Sequence, residues 1–80
     1  MTRAEFMELH QECVTAMRAY FLQAETTSEM LSECTPEPLP FDVRLRLLAQ
    51  EINESDAHKN YVGTKVHLHA AALQGYGIEN

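Results

Sequence analysis

The side chains best suited to chemistry are the histidines, four in all. Three of them, His58, His67 and His69, fall in the last third of the chain. A helix brings two ligands to one face when they are three or four residues apart. His67 and His69 are two apart and would converge only on a strand, while His58 is further away still. They read as polar flanks of a packed helix, and a metal-dependent sensor or small enzyme using His58, His67 and His69 is the alternative. Glu54 and His58 are separated by four residues, so the Glu-x-x-His pair of di-iron bundles is not formed. The metallohydrolase pattern His-Glu-x-x-His is missing too. Glu51, Glu54 and Asp56 around His58 form one polar cluster with acid-base potential, although a solvated helix junction explains it at least as well. His10 reads as a satisfied histidine rather than a ligand or pH-sensing group. No catalytic, cofactor-binding or metal residues are assigned, and enzyme activity is not expected.

Cys13 and Cys34 stand 21 residues apart in what patterns as one helix. At 1.5 Å per residue that is roughly 30 Å, beyond the span of a disulfide. Small buried thiols are expected, with a crosslink across a symmetric dimer as the alternative.

The elements that hold these residues are divided by Cys34-Thr35-Pro36-Glu37-Pro38-Leu39-Pro40, which contains all three prolines. Prolines at alternate positions remove backbone donors and force each preceding residue out of the helical region. The chain is therefore an all-α, antiparallel helical hairpin: arm one over 3–33, a proline turn over 35–40 and arm two over 41–74, forming a single domain spanning 1–80.

In arm one, Thr2 and Glu5 have the capping-box spacing. Phe6, His10, Cys13, Met17, Tyr20, Ala24, Thr27, Leu31 and Cys34 then recur at alternating steps of four and three, the spacing of a bundle seam. Leu9 and Ala16 flank that seam on one side, and Met7, Val14 and Phe21 on the other. The opposite face is acidic and solvated, with Leu22 its one apolar member. Thr26, Thr27 and Ser28 are poor helix formers, but the seam keeps its phase across them, so continuity is favoured over a kink or restart.

In arm two, Asp42 is placed to cap a helix whose apolar side is Phe41, Leu45, Leu48, Ala49 and Ile52, with Val43 and Leu47 off that side. Arg44 and Arg46 could meet the acidic face of arm one. Carrying this phase past Asn53 would put Asp56, Lys59 and Gly63 into the seam, at high cost for the buried charges. A kink or break is expected near Asn53 to Asp56, the break being preferred, to give two to three helices in all. After Tyr61, helix is preferred over strand; Gly75 can take the left-handed cap, and Ile78 to Asn80 are expected to fray.

A length of 80 residues and a net charge of −6 set further bounds. A chain this small has little stability to spare, and oligomerisation is a common remedy. The charge repels nucleic-acid backbones and anionic lipid. With no signal-peptide pattern and no apolar run of membrane length, a soluble cytoplasmic protein is expected, with no nucleic-acid or membrane partner and no cofactor. The apolar arc of arm one is wider than one antiparallel neighbour covers. Phe6, Met7, Val14, Met17, Tyr20 and Phe21 are accordingly the candidate interaction surface. The expected function is protein contact or regulation, as a homodimer whose hairpins form a four-helix or larger bundle. An acidic mimic or inhibitor docking on a basic site of a larger partner is the alternative.

Overall fold

A computed structural model describes residues 1–35 and 37–75. Expectations for Pro36, for Tyr76 and Gly77, and for the fraying of Ile78 to Asn80 lie outside the described residues. The fold is a hairpin of two helices, α1 (Arg3–Ser32) and α2 (Phe41–Leu73), packed along their length.

Thr2 caps α1 as the sequence implies. Its hydroxyl oxygen accepts the Glu5 backbone N–H at 3.1 Å, and the hydroxyl donates to the Glu5 carboxylate at 3.2 Å. The helix continues through Thr26 and Thr27, whose hydroxyls donate to the carbonyls of Leu22 and Gln23, four residues back. That back-bonding satisfies the hydroxyls without opening the backbone ladder. Glu33 ends the helix.

α2 corrects several expectations. It begins at Phe41 with Pro40 as the N-cap residue and no side-chain cap. Asp42 therefore lies inside the first turn, where its carboxylate meets Arg46 at 3.5 Å. Arg46 thus pairs within its own helix, and Arg44 lies 5.8 Å from the Phe41 ring centre; among the described residues neither makes an ion pair with α1. The helix does not end near Asn53 to Asp56 but runs through as a single element of 33 residues. Gln74 and Gly75 close it, Gly75 at φ 74°, the left-handed conformation foreseen for it.

The break was expected because the wrong stripe was taken as the inner one. Every covered residue of α2 lies on Val43, Leu47, Gln50, Glu54, Ala57, Tyr61, Thr64, Leu68 and Ala71, an uninterrupted 4-3 series. Asp56 and Lys59 lie off that series and stay exposed, and Glu54 on it is only half-buried, so the helix runs on without a fully buried charge. Phe41, Leu45, Leu48, Ala49 and Ile52 face solvent instead, and Val43 and Leu47 are the residues that pack.

α1 is corrected in the same sense, by a smaller rotation. Phe6, Cys13, Tyr20, Thr27 and Cys34 belong to the seam as expected, but the alternate positions are Leu9, Ala16, Gln23 and Met30. His10 and Leu31 are exposed, while Met17 and Ala24 are half-buried at the margin. Small residues mark the tightest places: Ala16 is 4% exposed, Ala71 5% and Cys13 9%. Small side chains let two helix backbones approach closely, and that approach is what covers them. Both cysteines are free.

We expect Ala16→Leu to destabilise the protein by about 1–3 kcal/mol through overpacking, whereas Ala19→Leu, at an exposed position, changes stability by no more than about 0.5 kcal/mol. Urea unfolding at fixed protein concentration measures both.

Candidate functional site

The residues singled out for chemistry are dispersed by the fold. His58, His67 and His69 are exposed on α2, and among the described residues no three His, Cys, Asp or Glu side chains gather as a metal site. His58 turns its ring toward Tyr20, at 4.9 Å between centres and 62° between planes. Glu51, Glu54 and His58 share the wall of an open cleft of ≈ 710 Å³ between the helices, and Asp56 is not among its lining residues. They therefore come near one another without forming a hydrogen-bonded acid-base pair among the described residues.

What the fold does assemble is a polar and aromatic layer midway along the seam. Gln50 is 8% exposed, and its amide nitrogen donates to both the backbone carbonyl and the side-chain oxygen of Gln23, at 3.1 and 2.9 Å. A buried amide costs stability unless it is paired; pairing across the seam satisfies it in only one alignment of the helices. Tyr20, three residues from Gln23 on α1, stacks on Tyr61 further along α2, with ring centres 6.1 Å apart and planes at 14°. The sequence reading did not find the glutamine pair. Its signal was a glutamine at each of two positions on 4-3 stripes, visible only once the inner stripe of α2 is chosen correctly.

The remaining surface feature is apolar. All seven large apolar residues that α2 exposes lie on one further 4-3 stripe: Phe41, Leu45, Leu48, Ile52, Val62, Val66 and Leu73. At 100° per residue this stripe faces roughly away from α1. Phe41 is 68% exposed and Leu73 88%. On α1, Met7, Phe21 and Leu31 are more than half exposed, and Val14 and Met17 are half-buried beside them. Leu31 and Leu48 both line the cleft, so the two exposed stripes border the same side of the hairpin. A further groove is lined by Gln11, Glu12, Thr15, Ala16, Ala19, Asn60 and Thr64.

Of the six residues named from sequence as an interaction surface, Met7 and Phe21 are exposed and Val14 and Met17 partly so. Phe6 and Tyr20 are half-buried on the inner seam, Tyr20 against Tyr61 and His58. Leu22, expected as an isolated exposed leucine, is 60% exposed.

Fold and surface together define a two-helix antiparallel hairpin with one covered seam and one bare apolar side. No protein-family model, curated protein or solved structure matches the chain. Among the described residues, no helix is long and apolar enough to cross a membrane.

A double-mutant cycle of Tyr20→Ala and Tyr61→Ala should return a coupling of about 0.5–1.5 kcal/mol in thermal or chemical unfolding, the range for an aromatic pair in contact.

Proposed function

We propose that this chain is a protein-interaction module whose working form is a homodimer, two hairpins packing by their bare apolar sides into a four-helix assembly. The observation that carries the proposal is how little one copy covers: among the described residues Cys13, Ala16 and Ala71 are the only buried apolar ones, and no large side chain is fully buried. The accessible surface is 6129 Å², whereas a compact monomer of 9.1 kDa exposes about 4,900 Å². The excess, roughly 1,200 Å², exceeds the ~800 Å² that each partner contributes to a standard interface.

Shape supports the same conclusion. The hairpin is a rod of 62 × 15 × 14 Å with a radius of gyration of 18.0 Å, against about 12 Å for a compact chain of this length. Such a rod cannot bend its apolar side back on itself, so only another molecule can cover it. A partner needed for stability must be present whenever the chain is, and a second copy meets that condition by mass action. In this reading the net charge of −6 keeps the outer surface hydrated and the assembly soluble.

Analytical ultracentrifugation should find a dimer at micromolar concentration, with a Tm that rises with protein concentration. The pair Phe21→Lys and Leu48→Lys should convert it to monomer, with helicity by circular dichroism falling as dimer is lost. A wild-type chain that stays monomeric, with a Tm independent of concentration, overturns the proposal.

A further inference from the structure

From the outward stripe of α2 we infer the geometry of self-association: α2 packs against α2 of a second copy, antiparallel, about a twofold axis at residue 57. A twofold seam presupposes the self-association proposed above, and adds to it the helix, the direction and the register.

The inference comes from how apolar and polar residues are distributed along the stripe. Between Ile52 and Val62 its steps fall on Ser55 and Lys59, and between Val66 and Leu73 on His69, so the full series runs 4-3 without interruption from Phe41 to Leu73. Reversed about residue 57, the series maps onto itself. Phe41 then meets the partner's Leu73, Leu48 meets the partner's Val66, and Ile52 meets the partner's Val62. At the centre Ser55 meets the partner's Lys59, polar against polar. Leu45 against the partner's His69 is the single mixed layer.

Other alignments are worse for physical reasons. Sliding one helix by a heptad puts Lys59 against the partner's Leu48 and leaves an end of each stripe uncovered, burying an ammonium beside an apolar side chain. A parallel pair stacks Lys59 on the partner's Lys59 and sets Glu51 beside the partner's Asp56, like charge on like. In the antiparallel register Asp56 approaches the partner's Asp56 across the axis, and each carboxylate has a Lys59 of the other copy beside it. Glu51 and Lys65, which flank the apolar layers, face the partner's Lys65 and Glu51. Both are exposed, and neither has an ion-pair partner among the described residues; Lys65 lies over Tyr61 at 5.8 Å. A polar layer at the middle of an apolar seam is a common device for fixing register and orientation.

Charge reversal tests the register. In low salt, Glu51→Lys and Lys65→Glu should each weaken dimerisation about tenfold by sedimentation, since two symmetric pairs turn repulsive. The double variant E51K/K65E should return to within about twofold of wild type. Residues 51 and 65 are too far apart on one helix to rescue each other within a chain. Direction is read independently from nitroxide labels at His67→Cys, with Cys13 and Cys34 changed to Ala. The antiparallel pair places the two labels about 30 Å apart along the helices, and the parallel pair about 10–15 Å. A dimer in which the double variant is no better than the single ones, or in which the labels sit at the short distance, overturns the antiparallel register and leaves self-association standing. A wild-type monomer overturns both.

Discussion

The close approach of α1 and α2 along one 4-3 seam is the constraint on which the rest of the structure depends. It is made possible by small side chains, Cys13 and Ala16 on one helix and Ala71 on the other, and aligned by the Gln23–Gln50 amide contact at its middle. At the small residues the seam gains dispersion between close surfaces, and beside them it half covers larger side chains, among them Phe6, Leu9, Leu47, Tyr61 and Leu68. The buried amide penalises any sliding of the helices that would leave it unpaired. Tyr20, stacked on Tyr61 and edge-on to His58, adds an aromatic contact between the helices.

Such a narrow seam leaves each helix half-finished. α2 is apolar on two nearly opposite faces: one meets α1, and the other presents all of the helix's exposed large apolar side chains to solvent. A helix with two apolar faces belongs between two layers, and a single hairpin provides only one. The same elongation that exposes this surface also spreads the titratable groups along a rod, so His58, His67 and His69 stay on the outside of one helix.

Much of the fold was legible in the residues. The prolines at alternate positions forced a turn, Thr2 with Glu5 marked the start of α1, and Gly75 took the left-handed conformation that ends α2. The phase of the helices was less legible. On α1 the stripe through His10, Met17, Ala24 and Leu31 and the stripe through Leu9, Ala16, Gln23 and Met30 share every second position, so spacing alone does not separate them. On α2 the more apolar stripe at the N-terminal end was taken as the inner one, and Asp56 and Lys59 then seemed to demand a break. Hydrophobicity is a poor guide to the inner face when a helix has two apolar faces. The Gln50 contact was invisible because it lies on the stripe that looked less apolar.

By itself the sequence determined the helical hairpin, the cap that starts α1 and the glycine that closes α2, because these depend on local chemistry: missing amide donors at proline, a threonine oxygen within reach of a free N–H, a glycine free to take positive φ. Only the tertiary structure decided which stripe of each helix is covered. That choice depends on how closely two backbones can approach, and therefore on alanine, cysteine and a paired glutamine that a single-helix reading ranks below bulkier residues. The outward apolar stripe of α2 stays uncovered because the stripe that holds Gln50 and Ala71 lets the two helices of one chain approach more closely.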